Sequence, residues 1–181
     1  MKLMIASDIH GSAFYCRKMM ERYEEEKPDK LLLLGDLLYH GPRNALPDRY
    51  EPKEVIEMLN GIKDKILCVR GNCDCDVDQM VMEFPIMADY GFLCVNDIPI
   101  YATHGHVINQ NKPLIGLKGI LLCGHTHVPA KEECDGFVYL NPGSVAIPKK
   151  ESCHSYMVLE ANTFLWKDVV NGEVYMTYEY E

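Results

Sequence analysis

The sequence predicts one α/β domain over residues 1–181, a four-layer α/β/β/α sandwich in which two mixed β-sheets lie between helices. Three observations support this fold class. The first part of the chain alternates short apolar runs with helical periodicity, the second part is a series of short apolar runs with little helix between them, and no linker or repeat separates the two parts. A chain of 181 residues also has the size of a single domain.

Three continuous apolar runs predict buried strands in the first half. They lie at residues 2–7, 31–34 and 65–69, and each ends at polar residues or glycine. Runs of this length and composition are typical of strands that are covered on both faces. Seven shorter runs predict the strands of the second half, at residues 93–95, 100–103, 120–123, 137–140, 156–160, 163–166 and 174–178.

Helices are predicted between the first strands. Ser12 is a suitable N-cap, and apolar residues within 16–23 recur at helical spacing. Pro52 is suited to the first turn of a second helix, and a short third helix is predicted at residues 76–82. Residues 39–52 contain three prolines and two arginines, which indicates an ordered loop.

The composition excludes two classes of partner. Twenty-seven acidic and 18 basic residues give a net charge of -9. Because an extended nucleic-acid interface needs a basic face, we expect no extended nucleic-acid partner. The start MKLMIASDIHG does not resemble a secretion signal, and no apolar run approaches the ~20 residues of a membrane span. We therefore expect a cytoplasmic protein with no membrane partner, whose eight cysteines are reduced.

Side chains of metal-binding type follow five predicted strands directly. They are Asp8 and His10, Asp36, Asn72, His104 and His106, and His125 and His127. The carboxyl ends of strands in α/β sheets form the usual ligand site, so these residues are expected to converge. Gly35, Gly71 and Gly124 each precede a candidate ligand and are expected to permit a tight turn. Each piece alone is more typical of an ordinary turn, but their order at successive strand ends indicates a metal site.

These residues resemble the signature of the calcineurin-like metallophosphoesterases, which reads D-x-H, G-D, G-N, H and G-H-x-H. Further blocks resemble a bacterial branch of that family, the YfcE-type phosphodiesterases. The blocks are HGPRNALP at 40–47, VRGNCD at 69–74, VDQM at 77–80, THGH at 103–106 and NPGS at 141–144. The resemblance implies a single calcineurin-like domain.

The resemblance also implies two metal ions per chain that share Asp36 as a bridging ligand. The first ion would be held by Asp8, His10, Asp36 and His127, and the second by Asp36, Asn72, His104 and His125. Oxygen and imidazole ligands suit manganese, which we expect, as well as nickel, iron, cobalt and zinc. The implied reaction is hydrolysis of a small phosphodiester by in-line attack of a metal-bridging hydroxide.

One departure from the wider family concerns the leaving group. Many members read G-N-H where this chain reads Gly71-Asn72-Cys73, and a thiol is a poor substitute for an imidazolium proton donor. We therefore predict diesterase rather than monoesterase activity, although Cys73 is equally explained as a small residue near the site. Asp74 and His106 are further catalytic candidates: Asp74 would orient a neighbouring ligand, and His106 would contact substrate or metal-bound water. A turn-forming aspartate and a solvated histidine are the alternatives.

Weaker candidates for substrate contacts lie in the loop after Asp36. Arg43, His40 and Asn44 fall in a matching block, whereas Arg49 lies outside it and is explained by surface solubility. His154 lies outside every block and is expected to be structural or exposed.

Two other functions stay open. One is a non-catalytic interaction scaffold, as in the retromer subunit of this fold, although such a protein should have lost ligands. The other is a nuclease, which the acidic charge disfavours. Relatives of this kind often self-associate, so a homo-oligomer, dimer or tetramer, is a further expectation.

Overall fold

The computed structural model describes residues 1–180. Three α-helices are formed in this part of the chain: α1 (Ala13–Glu26), α2 (Pro52–Asn60) and α3 (Asp76–Gln79). The first strands are β1 (Leu3–Ala6), β2 (Lys30–Leu33), β3 (Ile66–Cys68), β4 (Tyr90–Val95), β5 (Ile98–Thr103) and β6 (Gly119–Leu122). The remaining strands are β7 (Ala130–Cys134), β8 (Phe137–Asn141), β9 (Ser155–Glu160), β10 (Thr163–Asp168) and β11 (Val174–Glu179).

The strands form two mixed sheets. The six-stranded sheet has the order β11-β10-β9-β1-β2-β3, in which β1, β2 and β3 are parallel and β9, β10 and β11 run antiparallel to their neighbours. The five-stranded sheet has the order β4-β5-β6-β8-β7, with a parallel centre and antiparallel edges. The predicted α/β class with two mixed sheets is confirmed.

Alternation along β1 shows how the layers pack. Leu3 and Ile5 enter the core between the two sheets, while Met4 and Ala6 face the core beneath α1 and α2. All four side chains are fully buried, and burial of a large aliphatic side chain stabilises the fold by about 1.5–3 kcal/mol. Trp166 also spans the sheets, because its indole N–H donates to the carbonyl oxygen of Asn141 at 2.7 Å.

The outer face of the five-stranded sheet is covered by a loop. Leu114 and Leu117 of this loop pack against Leu121 and Tyr139. The connecting segment, residues 104–118, contains two glycines and a proline and lacks helical periodicity, which favours an irregular path.

Most predicted elements are found close to their expected positions. Ser12 caps α1 by accepting a hydrogen bond from the Tyr15 amide, and α2 begins at Pro52. Two details of the prediction were wrong. α3 ends at Gln79 rather than at 82, and β7 was missed because its sequence AKEEC has no apolar alternation. β7 is an edge strand with largely exposed side chains, so burial leaves no pattern in it.

All eight cysteines are free thiols. Among residues 1–180, no helix combines the length and the apolar character required to cross a bilayer.

Candidate metal centre

The predicted ligands converge beyond the carboxyl ends of β1, β2, β3, β5 and β6. Five of them have backbone angles in the left-handed region, with φ of 60° at Asp8, 48° at His10, 56° at Asp36, 66° at His125 and 60° at His127. This region costs a non-glycine residue about 1–3 kcal/mol, and such residues cluster at functional sites. The loops are therefore held in strained conformations that aim these side chains at one place.

The first group of ligand atoms comes from Asp8, His10 and His127, which are buried. The Nε2 atom of His127 lies 3.2 Å from Asp8 Oδ1 and 3.3 Å from His10 Nε2, and His10 Nε2 lies 3.6 Å from Asp8 Oδ1. The three atoms therefore face one common point.

The second group is joined to the first by Asp36. Its Oδ2 atom lies 3.7 Å from His10 Nε2 and 3.4 Å from His104 Nε2. His104 Nε2 is in turn 3.0 Å from Asn72 Oδ1, and the ring of His125 lies 5.1 Å from that of His104. The Asp36 carboxylate thus lies between the two groups, where a bridging ligand would be placed.

Backbone carbonyl groups fix the orientation of the three buried imidazoles. The Nδ1–O distances are 2.7 Å for His10 with Tyr39, 2.7 Å for His104 with Leu34 and 2.6 Å for His127 with Ile147. A ring whose Nδ1–H donates to a carbonyl oxygen presents the Nε2 lone pair on its other side. All three Nε2 atoms therefore point into the site as potential ligands.

Asp8 shows that this donor set fits a metal ion. Its Oδ2 accepts the amide N–H of His125 at 3.1 Å, whereas Oδ1 is buried and has no hydrogen-bond partner among the described residues. Oδ1 instead faces the Nε2 atoms of His10 and His127. Lone pairs that face one another in a buried site are costly unless a cation or a proton lies between them. Carboxylate oxygens and imidazole nitrogens suit a divalent transition metal.

Electrostatics at the site favour positive charge. Burial raises the pKa of Asp8, but the neighbouring imidazoles of His10 and His127 outweigh it and hold the pKa well below its ordinary value. Burial lowers the pKa of His104, but its bond with Asp36 and the nearby carboxylates raise the pKa to about 9.

Comparison with known proteins agrees with this geometry. The sequence model of the calcineurin-like phosphoesterase superfamily domain matches residues 1–163. The phosphodiesterase YfcE of Escherichia coli K12 is 44% identical over 161 residues, which cover 88% of each chain.

The chain belongs to the calcineurin-like phosphoesterase superfamily.

Solved structures show the same fold. The structure of E. coli YfcE, described as a phosphoesterase, superposes with a TM-score of 0.95 over 99% of both chains, at 38% identity within that superposition. A Vps29 variant from Entamoeba histolytica superposes with a TM-score of 0.64 over the full length of both chains at 21% identity, which shows the shared fold alone.

Two glycines of this phosphoesterase chain provide space rather than the expected turn. A Cβ atom on Gly71 would lie 2.1 Å from Asp36 Oδ1, and one on Gly124 would lie 2.9 Å from Asp8 Oδ2. Gly35 alone of the three predicted turn glycines has a positive φ, of 93°. The close approach of backbone to ligand therefore requires glycine at 71 and 124.

Asp74 lies behind the ligands and positions them. Its Oδ2 accepts the amide N–H groups of Asp36 at 2.8 Å and Gly71 at 2.7 Å, and its Oδ1 accepts that of Leu37 at 2.9 Å. Because both oxygens are bonded to backbone amides, the carboxylate holds the Asp36 loop in place. These bonds agree with the expectation that Asp74, grouped with the catalytic candidates, orients a neighbouring ligand.

Cys73 and His106 lie next to the ligands. The Cys73 amide donates to Asp36 Oδ1 at 2.8 Å, and its thiol lines the cavity in front of the site. Burial and the Asp36 charge raise the pKa of this thiol to about 12, so it is neutral. The His106 ring lies 5.4 Å from that of His104, and burial lowers the pKa of His106.

A cavity of about 370 Å³ opens in front of the ligands. Of the predicted substrate contacts, Arg43 and Asn44 line it. His40 does not line the cavity, because its ring packs edge-on against Tyr50. Its backbone carbonyl oxygen accepts a hydrogen bond from the side-chain amide of Asn44 at 2.8 Å. Lys149 also lines the cavity and was missed, since it belongs to no recognised block.

Arg49 and His154 have structural roles at the surface. Arg49 forms an ion pair with Glu54 at 2.7 Å and is turned away from the cavity. The ring of His154 stacks on Tyr15 at 3.6 Å, and its Nδ1 bonds to the carbonyl oxygen of Val145.

The NPGS block holds the ligand loops together. The side-chain amide of Asn141 donates to the Gly124 carbonyl oxygen at 2.7 Å, and the Ser144 hydroxyl donates to the Asp8 carbonyl oxygen at 2.9 Å. These bonds join the loop before His125 to the loop after β1. Resemblance found this block, but only the structure shows what it does.

Proposed function

We propose that the chain is a metal-dependent phosphodiesterase with a binuclear centre that hydrolyses small phosphodiesters. The position of Asp36 carries this proposal, because its Oδ2 lies between the Nε2 atoms of His10 and His104, each in a separate group of ligands. The similarity to E. coli YfcE, which is named a phosphodiesterase, supports the reaction class.

The ligand sets proposed are those the sequence indicated. Asp8, His10, Asp36 and His127 would hold one ion, and Asp36, Asn72, His104 and His125 the other. Two divalent ions, manganese in the first instance, would supply Lewis-acid stabilisation of the phosphoryl oxygens and a nucleophilic water at neutral pH.

The residues around the ligands orient the substrate and limit its type. Arg43 and Lys149 bring positive charge to the wall of the cavity, where they can bind a phosphoryl oxygen. Cys73 places a thiol where an imidazolium would protonate a poor leaving group. Diesters with good leaving groups should therefore react faster than alkyl monoesters.

The test is a matrix of metals against substrates on the purified protein. Matched aryl monoesters and diesters, cyclic nucleotides and glycerophosphodiesters would each be assayed with manganese, nickel, iron, cobalt and zinc. Asp36→Asn should abolish activity in every combination, while Asp135→Asn, at an exposed turn, should retain it. Activity that persists in Asp36→Asn would contradict the shared ligand.

Two further outcomes would reject the proposal. Wild type and Cys73→Ala that both hydrolyse aryl monoesters faster than diesters would refute the diester preference. A protein with no diesterase activity and no metal by elemental analysis would instead be an interaction scaffold.

A further inference from the structure

A groove with apolar walls lies beside the metal cavity. It has a volume of about 420 Å³ and passes between the loop at residues 39–52 and the segment around α3. Cys73 lines both the groove and the metal cavity, so the two spaces meet at this residue. The groove therefore starts at the place where the reaction is proposed to occur.

The walls of the groove offer apolar contact. Tyr39, Tyr50 and Ile56 form one side, and Val77 and Val81 form the other. The Val77 side chain is 67% exposed, so this wall is open to an incoming molecule.

One ionised group, Asp78, lies among the residues that line the groove. Its carboxylate is already engaged, because Oδ2 accepts the Cys75 amide N–H at 2.9 Å at the start of α3. No basic side chain of the described residues lines the groove, so an anionic group of a ligand would lose its hydration there without gaining an opposite charge.

Positive charge is confined to the other space. The basic residues Arg43 and Lys149 line the metal cavity, and neither of them lines the groove. The charge of a phosphodiester is distributed in a corresponding way, since one anionic phosphoryl group carries two ester arms. With the phosphoryl group at the metal ligands, one arm would extend past Cys73 toward the groove.

We infer that this groove binds an uncharged, aromatic or apolar ester arm of the substrate, and that it selects phosphodiesters that carry such an arm. The inference rests on the proposed function. The volume is within the range of ligand pockets and is sufficient for an arm the size of a phenyl ring. Burial of that ring against these side chains should raise kcat/KM about tenfold over an arm that cannot reach them.

The first experiment changes the wall of the groove. Steady-state hydrolysis of phenyl p-nitrophenyl phosphate and of methyl p-nitrophenyl phosphate would be measured for the manganese-loaded protein. Val77→Lys should lower kcat/KM for the phenyl diester about tenfold. Val174→Lys is the matched control, because Val174 is 48% exposed on β11, at the opposite edge of the six-stranded sheet from β3. Calorimetric Mn²⁺ affinity should be the same in both variants.

The second experiment measures whether a ligand occupies the groove, and it does not depend on catalysis. Cys75 lines the groove and is exposed, as is Cys94 on β4 in the other sheet. Phenyl phenylphosphonate, at a concentration that abolishes hydrolysis, should slow alkylation of Cys75 by iodoacetamide and leave Cys94 unchanged, as resolved by tandem mass spectrometry. Methyl methylphosphonate should protect neither cysteine.

The outcomes separate the two proposals. If the wild type hydrolyses neither diester, the proposed function fails. If it hydrolyses both, but Val77→Lys keeps wild-type kcat/KM or Cys75 is unprotected, only the groove assignment fails. If Val77→Lys converts a larger assembly into monomers in sedimentation, the groove is an interface between copies of the chain, and the assignment is again overturned.

Discussion

Replacement of Asp74 by asparagine tests whether this buried carboxylate holds the Asp36 loop in its strained conformation. The carboxylate accepts three backbone N–H groups, from Asp36, Leu37 and Gly71, at 2.7–2.9 Å. An asparagine of the same shape has one acceptor oxygen. If the asparagine oxygen takes the place of Oδ2, it keeps the bonds with Asp36 and Gly71. The asparagine NH₂ group then faces the Leu37 N–H, and two donors cannot form a hydrogen bond.

The magnitude follows from these three bonds. A buried N–H left without a partner costs about 1–3 kcal/mol. The two remaining bonds lose the assistance of the charge, at about 1 kcal/mol each. Burial raises the pKa of Asp74, and a neutral amide is easier to bury than a carboxylate, which offsets part of this loss. The expected net loss is therefore about 2–4 kcal/mol of the free energy of unfolding.

Urea denaturation of the metal-free protein measures this loss directly. For a typical slope of about 2 kcal/mol per molar, the midpoint should fall by about 1–2 M. Mn²⁺ affinity should also fall by about 10–100-fold, because Asp36 is no longer held in place. The exposed Asp135→Asn variant should change neither quantity. An unchanged midpoint together with unchanged Mn²⁺ affinity in Asp74→Asn would refute the positioning role.

Three further predictions concern space, metal and pH. Gly71→Ala should abolish Mn²⁺ binding in calorimetry, since its Cβ would lie 2.1 Å from Asp36 Oδ1; wild-type affinity would contradict this. Mn²⁺ at a hundredfold excess over Kd should stabilise the protein by about 2.7 kcal/mol and raise Tm by about 5–10 °C, and EDTA should reverse the change. A Tm that is unchanged by Mn²⁺ and by EDTA would show that the folded chain binds no ion. The pKa of Glu26 is lowered, because bonds with Lys167 and Lys2 outweigh its burial. The ionised Glu26 side chain therefore stabilises the fold above about pH 4.3, and this stabilisation is lost as the pH falls through the lowered pKa. Glu26→Gln should therefore cost about 1 kcal/mol in urea denaturation at pH 7 and progressively less in acid, and a cost that stays constant down to pH 3 would disagree.

The strands that carry the ligands could be predicted because their signal is local. Continuous apolar runs mark β1, β2 and β3, whose side chains are largely buried, and polar residues follow where each run ends. β7 could not be predicted, because an exposed edge strand needs no apolar alternation.

The sequence by itself determined the types and the order of the candidate ligands, since those depend on residue identity alone. Only the tertiary structure decided which atoms meet. His127, which follows β6 of the five-stranded sheet, meets Asp8, which follows β1 of the six-stranded sheet. The orientation of His127 depends on the carbonyl oxygen of Ile147, a group that every residue has. The role of Asp74 and the apolar groove beside Cys73 arise in the same way. Backbone hydrogen-bond partners and the space between loops are not specified by the type of any one residue, so they can be identified only in the folded chain.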